Sequence, residues 1–408
     1  MVLPVTSRTD TAAHGCARAC RGRRGAPARA AAIWALALLA AGAPAEAQPA
    51  SGGWIDADPA LESGSWSSAD PGYELVFPRD HAAHPDYRIE WWYYTGNVEA
   101  AGGRRFGYQV TFFRAGVDRR PANPSRWAIR DLYMAHLAVT DVARGEHHVA
   151  ERLNRAGVGW AGADPETLHV WNDGWSLTLE EGAHRLVAAS DDGRLAVDLR
   201  LESTATPVLH GDDGYSRKGN EPGNASHYYS LTRLPTTGRL KVGGEWFDVT
   251  GASWMDHEFG SSFLEPAQAG WDWFSIQLDD GTDLMLYTMR RIDGSADPWS
   301  SGTVVTPAGV TRLRAGDYRL LPGRRWTSPA SGGSYPVAWR IAVPSLDVEL
   351  QAEAAVDAQE LRTGRSTGVT YWEGAIDVRG TRGGTPVTGR GYLEMTGYAG
   401  PPLSRVLR

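Results

Sequence analysis

The sequence predicts an all-β protein built as two antiparallel barrels. Three observations lead there. Helical periodicity is almost absent, short alternating or apolar runs recur between turn residues, and one strand-turn-strand pattern occurs twice. Glycine (48 of 408 residues) and proline (24) supply the punctuation. Asp192-Gly193, Asp213-Gly214, Gly243-Gly244, Asp280-Gly281 and Asp293-Gly294 are hairpin signals, because such pairs tolerate the positive φ of tight turns. Trp171 to Leu179 reads as strand, Asn-Asp-Gly turn and strand, with Leu177 and Leu179 alternating against polar neighbours. Closing so many strands into barrels hides their edges from other chains.

Along the chain, residues 1–47 come first and read as an export signal. Arginines run to Arg29, an apolar run follows from Ala30 to Ala41, and Ala45-Glu46-Ala47 forms an A-x-A cleavage site. That apolar run stops at Gly42 and Pro44, short of the roughly 20 residues a spanning helix needs. The mature chain is therefore expected to start at Gln48, to lack a transmembrane anchor, and to work in the periplasm or outside the cell. Both cysteines, Cys16 and Cys20, leave with the signal, so no disulfide or cysteine ligand is expected. Removing six arginines and two acids turns 41 basic and 48 acidic residues into 35 and 46, changing the formal charge from -7 to -11. An acidic chain without a basic face is not expected to bind nucleic acid. Lysine occurs only at Lys218 and Lys241.

The repeated pattern follows. Trp91-Trp92-Tyr93-Tyr94 leads through Gly102-Gly103 to the apolar run ending at Arg114; Trp271-Asp272-Trp273-Phe274 leads through Asp280-Gly281 to the run ending at Arg290. Duplication places one barrel in residues 48–237 and the other in 238–408, with the break at the turn-rich Leu234-Pro235-Thr236-Thr237-Gly238.

Candidate site residues come from these strands. Tryptophans beside acids suggest an aromatic pocket: Trp91 and Trp92 follow Glu90, Trp271 and Trp273 flank Asp272, and Tyr371-Trp372 precedes Glu373. Strand alternation puts Glu90 and Trp92 on one face, and Trp271 and Trp273 on a face opposite Asp272, which would then point to solvent. Asp256-His257-Glu258 is the densest titratable cluster, with Asp256 and Glu258 sharing a face if the segment is extended. Spacing of the H-E-x-x-H kind is absent, so no metal is expected. A hydrogen-bonded structural cluster and an acid catalyst both remain open.

Glu90-Trp91-Trp92-Tyr93-Tyr94-Thr95-Gly96, Trp254-Met255-Asp256-His257-Glu258-Phe259-Gly260, Gly270-Trp271-Asp272-Trp273 and Gly389 to Tyr398 together carry a resemblance. The chain resembles the two-domain lipocalin-like family of carotenoid 1,2-hydratases and AttH-type exported proteins. The resemblance covers nearly the whole mature chain and implies two lipocalin-like barrels holding an apolar ligand, an isoprenoid or lipid. The candidate ligand-binding residues are Glu90, Trp92, Tyr228, Trp254, Phe259, Trp271, Trp273, Tyr287, Trp372 and Glu373, with Asp256, His257 and Glu258 as the catalytic candidates, and no cofactor is expected. A hydratase of this kind protonates a C=C bond with a neutral carboxylic acid whose pKa is raised by apolar burial, and aromatic faces stabilise the cation. The family's His-x-Trp element matches His257-Glu258-Phe259, with Phe for Trp. Its Tyr-x-Asp element matches Tyr287-Thr288-Met289, with Met for the proposed acid. Two functions follow: a carrier or an accessory of an envelope transporter, or an acid-catalysed hydratase or isomerase of an unsaturated terpenoid. A secreted hydrolase is a further alternative, without a G-x-S-x-G elbow to support it.

Overall fold

The computed structural model describes residues 66–203 and 205–406, which belong to one compact unit; the expected export signal lies outside the described residues. Among the described residues there is no α-helix, only 3-10 turns at Arg79–His81, Pro344–Leu346 and Leu403–Arg405.

Strands of the first sheet are β1 (Ile89–Ala100), β2 (Arg105–Gly116), β3 (Asp131–Asp141), β4 (Glu146–Arg155), β5 (Ala161–Ala163), β6 (His169–Asn172), β7 (Trp175–Glu180), β8 (Ala183–Ala189), β9 (Ala196–Glu202), β10 (Val208–Leu209), β11 (Tyr215–Arg217), β12 (Ala225–Val242) and β13 (Glu245–Gly260). They pair in the order β4-β3-β2-β1-β13-β12-β9-β8-β7-β6-β5, with β10 and β11 on β12, and curl into a nearly closed barrel. The second part contains β14 (Gln268–Leu278), β15 (Asp283–Arg291), β16 (Ser301–Thr306), β17 (Gly309–Arg314), β18 (Arg319–Pro322), β19 (Arg325–Thr327), β20 (Ser334–Pro336), β21 (Ala338–Val343), β22 (Val348–Ala354), β23 (Glu360–Arg362), β24 (Thr370–Arg382) and β25 (Thr385–Met395). Its main sheet runs β17-β16-β15-β14-β25-β24-β22-β21-β18, with β23 on β24, and forms a half-barrel; β19 and β20 pair separately.

The two sheets share one wiring. Each opening strand lies between the strand that follows it and the last strand of its sheet: β1 between β2 and β13, β14 between β15 and β25. The repeated hairpins of the sequence are β1–β2 and β14–β15, in equivalent places. The break expected at 234–238 is corrected: those residues lie inside β12, and the first sheet continues to Gly260 before the second opens at Gln268. Gly238, at φ +142°, serves close strand approach there, since a Cβ would meet the Asp198 carbonyl at 2.3 Å. The real turn follows at Gly243-Gly244, with φ of +62° and +94°.

Alternation along the strands sorts side chains into separate cores. Trp92 and Tyr94 of β1 point into the barrel with Phe106, Phe112, Leu137 and Met255. The half-barrel packs Phe274, Leu286, Trp339, Ile341 and Trp372. Tyr93 of β1 faces the other way, meeting Tyr228, Trp254, Trp273, Tyr287 and Tyr392 in a third cluster that joins the sheets. Burying each such ring contributes on the order of 1.5–3 kcal/mol. Gly107 of β2 permits this approach: a Cβ there would lie 2.6 Å from the Ala375 Cβ of β24. Polar sutures complete it, with Gln277 donating to the Thr232 carbonyl at 2.7 Å and Asn97 to the Gly391 carbonyl at 3.1 Å.

Candidate active site between the two sheets

A cavity of about 230 Å³ lies at the junction of the sheets. Trp91, Phe113, Trp271, Trp273 and Met289 supply its apolar wall, and Tyr93, Tyr228, Tyr287, Tyr371, Asp256, Glu258, Glu373, Glu394 and Lys218 its polar groups. Its size falls just under the roughly 300–1,000 Å³ of ordinary small-ligand clefts, so it suits a compact ligand or one end of a longer one.

The extended β13 turns Asp256 and Glu258 toward this cavity. Asp256 accepts from the Tyr228 hydroxyl at 2.5 Å, from Trp254 Nε1 at 2.6 Å and from the Ser230 hydroxyl. Trp273 Nε1 donates to the same Tyr228 oxygen at 3.1 Å. Burial pushes the Asp256 carboxyl up to about 7, against the lowering effect of its three donors and with a further push from Glu258. Behind it, His210 Nε2 sits 2.6 Å from the Ser230 oxygen and Nδ1 2.9 Å from Thr303 Oγ1. Burial lowers His210 to about 3, which keeps that imidazole neutral.

Glu258 is held differently. It accepts from Ser226 and pairs with Lys218 Nζ at 3.1 Å. The ammonium stands 5.0 Å from the Tyr228 ring centroid and 4.6 Å from that of Tyr287. Burial opposes the charge on Lys218, but Glu258 and Tyr287 outweigh it and hold the amine above its usual range. Across the cavity, Glu373 and Glu394 are direct cross-strand partners on β24 and β25. Burial raises both, Glu394 to about 7 and Glu373 well above its ordinary value, and their mutual repulsion raises Glu373 further. The site therefore offers carboxylic acids that keep a proton near neutrality beside aromatic faces, with one ammonium among them.

The structure brings together Asp256, Glu258, Tyr228, Trp271, Trp273, Tyr287 and Glu373, with Trp254 directly behind Asp256. Other candidates go elsewhere, by strand parity. His257 points into the barrel, where Nε2 lies 2.9 Å from Glu90 and its ring stacks on Trp92 at 4.9 Å. Phe259, on the same face, stacks on His84 at 3.5 Å. Trp372 is buried in the half-barrel core and donates to the Asp357 carbonyl at 2.7 Å. Glu90 borders the cavity, but His84, His257 and Arg114 engage its carboxylate. Asp272 does face away from Trp271 and Trp273, yet it is buried and paired with Arg290 at 3.1 Å rather than solvated.

Trp91 and Tyr371, noted beside acids in the sequence but not carried into the expected ligand set, do line the cavity, whereas Lys218, Glu394 and Tyr93 were not expected there. Rarity could have flagged Lys218, and Glu394 is a lone acid within Tyr392-Leu393-Glu394-Met395. Met289, at the position where the resemblance calls for an acid, does line the cavity; the raised carboxyls stand on β13, β24 and β25 instead.

Fold and site together define a lipocalin-like protein of two sheets with a mostly apolar cavity, bearing buried carboxyls, at their junction. The chain belongs to the AttH-like family, whose model matches residues 68–398. A crystal structure assigned as AttH from Nitrosomonas europaea is 36% identical, covers 82% of this chain and 100% of its own, and superposes with a TM-score of 0.74. Kievitone hydratase from Nectria haematococca shares the fold at 15% identity and a TM-score of 0.62, over 81% of this chain and 95% of its own. The dehydratase asqC of Emericella nidulans is 23% identical over 240 residues, which span 55% of this chain and 63% of that protein.

Proposed function

We propose that this protein is a hydro-lyase that adds water to, or removes it from, a compact apolar molecule, with Asp256 moving the proton. The observation that carries this reading is a carboxyl with a pKa of about 7 beside Trp271 and Trp273. In hydration, Asp256 gives its proton to one carbon of a C=C bond, the π pair forms the new C–H bond, and the other carbon becomes cationic against the indole faces. Water attacks that carbon and returns a proton to the carboxylate, so the net change is one H2O. Dehydration is the reverse. Two relatives whose names describe adding or removing water, kievitone hydratase and the asqC dehydratase, support the same chemistry. On this reading residues 1–47 export the chain to the periplasm or beyond.

The apolar wall favours a second reading, a carrier that retains its ligand unchanged, alone or for an envelope transporter. One experiment separates them. The protein is purified from its native envelope without detergent, an organic extract is analysed by mass spectrometry, and the extract is returned to the protein in ¹⁸O-labelled water. Label incorporation by the wild type and none by Asp256→Asn supports the hydro-lyase. Retention of a stoichiometric ligand without label in either supports the carrier.

A further inference from the structure

The geometry points to a divalent transition-metal site inside the first barrel, with His84, Glu90 and His257 as its ligands. It lies on the face of β13 opposite Asp256 and does not rest on the hydro-lyase reading. His84 Nδ1 is 2.8 Å and His257 Nε2 2.9 Å from the same oxygen, Glu90 Oε1, and the three atoms lie within 4.8 Å of one another. Tetrahedral ligands on bonds of about 2.1 Å lie roughly 3.4 Å apart, so an ion would spread these three atoms by only about half an ångström from Glu90 Oε1.

The other nitrogen of each ring makes the stronger argument. His84 Nε2 faces Asp80 Oδ1 at 3.3 Å, and His257 Nδ1 faces the Asp80 carbonyl at 3.0 Å. A metal-bound histidine is normally oriented in this way, its far N–H donating to a carboxylate or a main-chain carbonyl. Glu90 Oε2 is held by Arg114 Nε at 3.1 Å, as an outer partner holds a ligating carboxylate. Hydrogen bonds alone fit less well. Both rings face acceptors at both nitrogens, so direct bonds throughout require two imidazolium ions packed beside Arg114. The Tyr229 hydroxyl, 3.0 Å from His257 Nδ1, offers one other donor, but only by leaving that nitrogen's lone pair against the Asp80 carbonyl. One cation in place of the two inner protons gives both inner nitrogens a partner and shares Glu90 Oε1, which also accepts from the His84 main-chain N–H at 3.0 Å.

Two imidazoles and a carboxylate suit Zn²⁺, Mn²⁺ or Fe²⁺ rather than the all-oxygen preference of Ca²⁺. The ion would tie the turn at Asp80 to His84 onto β1 and β13, the strand that carries Asp256. Sequence spacing gave no hint of it, because the ligands come from a loop and two strands far apart in the chain.

The test begins with the untagged, native-purified chain, whose metal content is read by inductively coupled plasma mass spectrometry. It is then stripped with EDTA and reloaded with Co²⁺ while visible absorption is recorded. The expected results are close to one equivalent of transition metal, a melting temperature lowered by EDTA, and Co²⁺ ligand-field bands. Those bands should vanish in His84→Ala and persist in His148→Ala, and Asp80→Asn should weaken Co²⁺ binding about 10–100-fold. Absence of metal and of Co²⁺ bands in the wild type overturns the assignment even if His84→Ala fails to fold. Bands that survive in a folded His84→Ala protein also overturn it.

Discussion

Asp256 and His257 are adjacent in the chain and belong to different chemical environments. The Asp256 carboxyl lies in the cavity at the sheet junction, bonded to Tyr228, while the His257 ring is sealed inside the barrel between Trp92 and Glu90. Substitutions at the two positions should therefore have separable effects. Asp256→Asn keeps the shape of the side chain but cannot act as an acid, and turnover should fall about 10²–10⁴-fold with ligand retention intact. Turnover assays beside ligand extraction check this, and unchanged turnover would remove Asp256 from the mechanism.

The proposed role of Asp256 as the acid also fixes a pH dependence. With the carboxyl at about 7, the hydration rate should be flat at acid pH and fall as pH rises through that value. Stability should follow the same direction. The folded state keeps a proton that the unfolded chain gives up near 3.8, so between about 3.8 and 7 the folded form binds more protons and its stability declines with rising pH. Above that window the loss is complete. Urea melts of the wild type and Asp256→Asn across this range should show the decline reduced in the variant.

The Lys218–Glu258 pair leads to a stability prediction of a different kind. Both side chains are largely buried, with 18% and 7% of their surface exposed. Lys218→Met strands the Glu258 carboxylate and should cost about 3–5 kcal/mol, whereas Lys218→Met with Glu258→Gln should recover most of that loss. Denaturation midpoints of the two variants decide it; equal midpoints would show that the pair is not electrostatically coupled.

Gly107 tests whether the sheet junction supports the site. Gly107→Val places branched carbon against Ala375 and should force β2 away from β24 at a cost of about 1–3 kcal/mol. Turnover should fall with it although residue 107 does not touch the cavity. A variant with normal stability and normal rate would show that the junction tolerates the added bulk.

Much of the architecture was legible because strand parity is a local property. Alternation placed Asp256 with Glu258, Trp271 with Trp273, and His257 on the opposite side, as the structure has them. What parity cannot reveal is which face belongs to which core. Trp92, Phe259 and Trp372 are as aromatic as Trp271 and Trp273, yet Trp92 and Trp372 fill the cores of the two sheets and Phe259 packs with Ala69, Tyr87 and Ala225, because the cavity lies between the sheets, not within one of them. Lys218 and Glu394 meet the site only through tertiary packing of β11, β12 and β25. The misplaced boundary at Thr237 has the same origin: Pro235 and Gly238 look like a turn in isolation, and only pairing with β13 and β9 makes them a strand.

The shared wiring, with each opening strand clasped by the last strand of its own sheet, also dictates an order of events during synthesis. Ile89 finds its partner on one side only when Gly260 has been made, and Trp273 waits likewise for Glu394. Until then β1 and β14 each keep one edge of unpaired N–H and C=O groups. Such long-range closure is slow. The topology that builds the barrels therefore also delays their formation until the last strand of each sheet has been made.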